Sequence, residues 1–279
     1  MQNQEKVMIV TGATGGIGLI TARELAASRA RVVLVGRSQQ RLDNAVALIT
    51  KQTPHALLDT IQADLSVQAQ VIDAANRIKQ RYEHIDVLIN NAGAFYSQRE
   101  ISVDGIEMTW ALNHMAPFIL TTNVLDLLRA SASARVITVS SIAHQRATID
   151  FADLEGKKQY SPMKAYGQSK LANILFTYEL ARQLKDSHVT ANALHPGFVA
   201  TGFAQNNSGW LARLFAALHV FAITPERGAE TSVFLAKDTS IEGTTGSYFA
   251  KCKSVPSSKL SYDVPTQHRL WELSQQMVK

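Results

Sequence analysis

Short apolar runs recur along the chain, each bounded by turn residues. Val7 to Val10, Val32 to Val35, Val87 to Ile89, Val136 to Val139 and Val189 to Leu194 are rich in Val and Ile, and a weaker run lies at Leu57 to Ile61. Runs without polar alternation predict strands covered on both faces, as parallel strands are. Between them, Ile17 to Ser28, Gln39 to Thr50 and Val67 to Arg81 carry apolar residues at helical spacing. Strand and helix in alternation predict an α/β fold with a doubly wound parallel sheet, in a single domain over residues 1–279. Right-handed crossovers then bring the loops after the strands to one edge, where ligands bind in such sheets. Thr224, Pro225 and Glu226 open a late helix with good capping chemistry.

Composition changes this picture little. Apolar residues make up 46% of the 279, enough for a full core. The single cysteine, Cys252, excludes an intrachain disulfide and fits a reducing compartment. The N-terminal MQNQEKVMIV has no signal-peptide or anchor pattern, so a cytoplasmic protein with no membrane span is expected. The longest apolar stretch, Trp210 to Ile223, is too short for a bilayer and carries Arg213 and His219. It reads as a buried or dimer-facing helix, as a lid over a cleft, or more remotely as a membrane-surface contact. The net charge of +5 is mild and has no basic tract, which argues against nucleic acid but suits an anionic ligand. His, Asp and Cys show no metal-ligand spacing, so no metal is expected.

The first strand runs into TGATGGIG, Thr11 to Gly18, and then a helix. Glycines there let the backbone approach a pyrophosphate, whose charge the helix N-terminus favours. Gly12, Gly16 and Gly18 fit one dinucleotide spacing; Gly12, Gly15 and Gly18 fit another. Either way Gly12, Thr14, Gly15, Gly16, Ile17 and Gly18 are candidate cofactor contacts in a Rossmann-type fold. A carboxylate about 20 residues beyond the glycines would mark NAD(H). Arg37 stands near that position instead, and a guanidinium can fork onto a 2′-phosphate, so NADP(H) is expected over NAD(H). Asp64 and Leu65 follow the third strand; Asp64 reads as a helix cap, an adenine contact or both. Asn91, Ala92 and Gly93 follow the fourth strand, at the ligand edge.

Ser161-Pro162 opens a helix that carries Tyr166 and Lys170 four residues apart, on one face. A cation beside a phenol favours the phenolate. At about 4 Å and an effective dielectric of about 20 the attraction is roughly 4 kcal/mol. That is enough to bring a tyrosine from about 10 towards 7. Such a phenol can exchange a proton with an alcohol near neutral pH.

In order, TGATGGIG, NNAG, Ser141 after a strand, YGQSK and HPG resemble the short-chain dehydrogenases/reductases over nearly the whole chain. NNAG and the modest C-terminal part favour these over the longer sugar-nucleotide epimerases. VSSIAH, DFADLEGKKQY and HPGFVATGF are most similar to the retinol dehydrogenase-like branch, which acts on lipophilic alcohols, aldehydes or ketones, often with NADP(H). The resemblance implies Tyr166 as general acid/base and Lys170 as ribose contact and tuner of the phenol. Ser141 would hydrogen-bond the substrate oxygen, and Asn113 would place a water that relays the proton past Lys170. Pro196, Gly197, Val199 and Thr201 would line the nicotinamide site. It also implies a homodimer or homotetramer, joined through helices around Asn113 to Leu128 and Tyr166 to Leu184. Ala116-Pro117 departs from the branch pattern, and the proline is expected to kink its helix. The residues Gln145 to Tyr160 would form a polar loop beside the cleft. Phe95, Tyr96, His144, Phe198 and Phe203 are candidate cleft walls, and His195 reads as a packed turn residue. The leading expectation is an NADP(H)-dependent oxidoreductase of lipophilic substrates; the alternative is a regulatory protein that binds NADP(H) without turnover.

Overall fold

In a computed structural model, which describes residues 5–197 and 223–279, the alternation of strand and helix closes one sheet. The chain runs β1 (Val7–Thr11), α1 (Gly16–Ala26), β2 (Arg31–Gly36), α2 (Gln39–Gln52), β3 (Leu57–Gln62), α3 (Gln68–Arg81) and β4 (Val87–Asn90). Next come α4 (Met108–Trp110), a π-helical turn (Ala111–Met115), α5 (Ala116–Asn123), α6 (Leu125–Ala130) and β5 (Ala134–Val139). Then follow a 3-10 turn (Ile142–Arg146), α7 (Pro162–Gln183) and β6 (Val189–Leu194). After the undescribed segment come α8 (Pro225–Lys237), β7 (Ser247–Ala250), β8 (Lys253–Ser254), a 3-10 turn (Lys259–Tyr262) and α9 (Val264–Met277).

The strand order is β3-β2-β1-β4-β5-β6-β7-β8. All neighbours pair in parallel except β7 with β8, which form an antiparallel hairpin. The order reverses between β1 and β4, so a crevice opens beyond their C-terminal ends, where Gly12 and Asn91 stand. Alternate residues of each strand feed two cores. Ile9, Leu88 and Val136 face α3, α5 and α7; Val10, Ile89 and Ile137 face α1, α2 and α8. The expected doubly wound sheet is therefore the observed one.

Helix α7 has no free side. Every residue from Gly167 to Ala181 is buried, between β5 and β6 below and the C-terminal segment above. Trp271 of α9 stacks on Phe176 of α7 with centroids 5.8 Å apart and meets Phe118 of α5 edge-on at 5.0 Å. The helix pair expected to meet a second copy thus lies under the chain's own last helix. Among the described residues, no helix is long and apolar enough to cross a membrane. Phe198, Val199, Thr201, Phe203 and nearly all of Trp210 to Ile223 lie outside the described residues.

Candidate active site

The glycine turn is built for close approach. A Cβ on Gly18 would stand 2.3 Å from the Gly12 carbonyl oxygen, so the helix can pack on the turn only with glycine there. Thr11 ties this turn to the loop after β4. Its Oγ1 accepts from the Asn91 N–H at 2.9 Å and the Ala92 N–H at 3.0 Å, while Asn91 Nδ2 donates to the Thr11 carbonyl at 2.8 Å. Gly12, Thr14, Gly15, Gly16 and Ile17 line the partly open side. Helix α1 has neither a side-chain cap nor an acidic residue in its first turn. Its leading amides suit a pyrophosphate, and the residues present fit a dinucleotide.

Arg37 is exposed at the end of β2, and Ser38 caps α2 by accepting from the Arg41 N–H at 3.4 Å. The Arg41 guanidinium reaches back to the turn: a Cβ on Gly15 would lie 3.5 Å from it. No ion pair engages either arginine among the described residues. Sequence reasoning missed Arg41. Its signal was a second arginine one helical turn past Arg37.

Asp64 does not cap α3. Its Oδ1 accepts from Ser66 N–H at 3.0 Å and Ser66 Oγ at 2.7 Å, closing a turn before the helix. Asp104 does the capping, accepting from the Gln68 N–H at 2.8 Å. A carboxylate two residues from its target N–H forms a local turn more readily than it reaches a later helix. Leu65 is buried beside it and faces the core.

At the same edge β5 delivers Ser140 and Ser141. Ser140 Oγ donates to the Lys170 carbonyl at 2.7 Å, a packing role. Ser141 instead hydrogen-bonds the Tyr166 hydroxyl and accepts weakly from the Ala143 N–H at 3.3 Å. Phe95 meets the Tyr166 ring edge-on at 5.8 Å. Lys170 Nζ lies 5.7 Å from that ring centroid and donates to the Val139 carbonyl at 3.1 Å. It also abuts the loop after β4: a Cβ on Gly93 would lie 3.2 Å from Nζ and 3.1 Å from Asn113 Oδ1. Ser141, Tyr166, Lys170, Asn113 and Gly93 are therefore one cluster.

One expectation needs correction. The chain alone does not make the phenol acidic. Removal from water pushes Tyr166 up to about 12, against the pull of its Ser141 hydrogen bond. Burial draws Lys170 down to about 8, so the amine holds its proton less firmly. Desolvation is the largest influence on both groups. The Asn113 side chain is engaged within the chain. Its Oδ1 accepts from the Ala94 N–H at 2.8 Å, and its Nδ2 donates to the Ala94 carbonyl at 2.9 Å and Ser169 Oγ at 3.1 Å. It clamps the NNAG loop to helix α7. Pro117, four residues on, has no N–H to give the Asn113 carbonyl.

His195 accepts from the Gly197 N–H at 3.0 Å and packs the turn that carries Pro196, as a turn histidine does. His144 lies fully buried behind Ser141 and is not a cleft wall. The residues Gln145 to Tyr160 pack back onto the chain: Tyr160 donates to the Tyr96 carbonyl at 3.0 Å and Arg99 to the Glu155 carbonyl at 3.0 Å. Exposed at the mouth are Ile142, next to Ser141, and Met163, one turn before Tyr166 on α7.

The short chain dehydrogenase family matches residues 6–212. Retinol dehydrogenase 12 of Mus musculus is 39% identical over 269 residues, 96% of this chain and 85% of that protein. Polyprenol dehydrogenase of Homo sapiens is 36% identical, across 98% of this chain and 85% of that protein. Among solved structures, an uncharacterized protein from Mycobacterium paratuberculosis superposes with a TM-score of 0.78 at 32% identity, over 99% of this chain and 93% of that one. The Pseudomonas aeruginosa RhlG/NADP complex superposes with a TM-score of 0.70 at 26% identity, over 88% and 93%. The chain belongs to the short-chain dehydrogenase family and is an oxidoreductase of that type.

Proposed function

We propose that this oxidoreductase moves a hydride between NADP(H) and a lipophilic alcohol, aldehyde or ketone, with Tyr166 as general acid/base. The observation that carries the reading is the Ser141–Tyr166 hydrogen bond beside Lys170, at the crevice edge of the glycine turn. When bound, NADPH supplies the hydride. As hydride reaches the carbonyl carbon, Tyr166 gives its phenolic proton to the carbonyl oxygen, and Ser141 Oγ donates a hydrogen bond to the same oxygen. A phenol held above its usual range is fully protonated at neutral pH, the form this direction needs. In alcohol oxidation the proton moves the other way. Lys170 would then stabilise the phenolate.

Arg37 and Arg41, which no ion pair engages among the described residues, support the 2′-phosphate and hence NADP(H). The apolar lip of Ile142 and Met163 supports a lipophilic substrate. So do the names of two relatives, a retinol and a polyprenol dehydrogenase. The test is NADPH and NADH oxidation with decanal, all-trans-retinal, benzaldehyde and cyclohexanone. Turnover with NADPH, fastest on the long apolar aldehydes, is expected. NADPH binding with no turnover on any of them would instead indicate a regulatory protein.

A further inference from the structure

We infer that His144 is a positioning residue: it holds the Ser141 carbonyl, and the C-terminal segment holds His144. The inference rests on the reading of Ser141 as the donor to the substrate oxygen. His144 lies in the 3-10 turn Ile142–Arg146 and is fully buried. Its Nδ1 is 2.7 Å from the Ser141 carbonyl oxygen, and its Nε2 is 3.1 Å from the Ser258 backbone nitrogen. A carbonyl only accepts, so Nδ1 carries the proton. A backbone N–H only donates, so Nε2 carries none. The two bonds fix one neutral tautomer.

Each neighbour is itself held. Tyr248 packs edge-on against the imidazole at 4.8 Å. Ser258 belongs to a run locked to α7, where Ser257 Oγ meets Tyr178 OH at 2.8 Å and Ser261 Oγ at 2.6 Å. Ser141 is the last extended residue before the 3-10 turn, and its own carbonyl accepts both the His144 N–H at 3.2 Å and the imidazole. The peptide plane after Ser141 is therefore held by two bonds, which fixes the backbone from which Oγ projects. A displacement of about 1 Å at such a group costs about a hundredfold in rate.

Two variants separate the two bonds. His144→Asn keeps a donor near Nδ1 and loses the Ser258 bond. His144→Gln keeps an acceptor near Nε2 and loses the Ser141 bond. With NADPH and the fastest aldehyde of the panel, His144→Asn, which keeps the Ser141 bond but loses the hold of Ser258, should lose only a few-fold in kcat. His144→Gln should lose about tenfold to a hundredfold in kcat, with unchanged NADPH affinity by nucleotide fluorescence. Equal losses in both, in step with equal falls in Tm, would reduce His144 to packing and overturn the inference. So would full turnover in His144→Gln beside a dead Ser141→Ala. A fully active Ser141→Ala would overturn the reading of the site, and the inference with it. A measurement that needs no substrate is 15N NMR of histidine-labelled protein. The His144 signals, assigned by their loss in His144→Gln, should show protonated Nδ1 and bare Nε2 at pH 7; the opposite tautomer would contradict the proposal.

Discussion

Lys170 is the residue on which stability and chemistry oppose each other. The residue is 3% exposed, and burial holds its amine at about 8, below the usual 10.5. Below pH 8 the folded state carries a poorly solvated ammonium. Between 8 and 10.5 the unfolded chain binds more protons than the folded one, so this contribution to stability grows as pH rises. Lys170→Met removes the cost. The Val139 carbonyl keeps a donor, because Asn173 Nδ2 also reaches it at 3.3 Å. The variant should be more stable than the parent by about 1–3 kcal/mol at pH 7, with the gap shrinking by pH 10, and should lose turnover. Thermal melts at the two pH values check the sign. At the other end of the crevice, Arg37→Ala and Arg41→Ala should each raise KM for NADPH about tenfold and leave KM for NADH nearly unchanged. Steady-state kinetics with both nucleotides decide it.

Among the elements, the loop after β4 depends on a helix two elements away. Asn113→Ala would strip both backbone groups of buried Ala94 of their partners and cost about 2–4 kcal/mol, read as a lower denaturant midpoint at unchanged slope. The β7–β8 hairpin carries Lys251 and Cys252 with φ of 48° and 59°, a turn that prefers Asn-Gly. Replacing the pair by Asn and Gly should raise stability by about 1 kcal/mol in the same measurement. Sequence pattern revealed β1 to β6 because buried parallel strands are written in Val and Ile. β3 read weakly because it is an edge strand whose residues are mostly half-exposed. The Ser247–Ala250 strand and its hairpin partner were missed: four residues of mixed polarity have no period to detect. The π-helical turn at Ala111–Met115 was hidden for a different reason. Pro117 announced a kink, but not that the backbone would widen one turn earlier, placing Asn113 against Ala94. In the site, Tyr166, Lys170 and Ser141 were legible from spacing and order. The effect of burial on the first two was not, because desolvation depends on neighbours brought from distant strands.

Across the molecule, helix α9 closes the face of α5 and α7. Ser274 of α9 meets His114 Nε2 at 2.8 Å, and Trp271 fills the space between Phe118 and Phe176. A second copy could use that face only by displacing α9. Cross-links placed on α5 and α7 should therefore stay within one chain, and a dimer cross-linked through those two helices would contradict this. The claim on which the account turns is the proton carried by Tyr166. Tyr166→Phe keeps the ring that Phe95 packs against and removes only the hydroxyl. Single-turnover NADPH oxidation with the best aldehyde should then fall by at least about a thousandfold, while NADPH still binds with parental affinity. Turnover within a few-fold of the parent would contradict it.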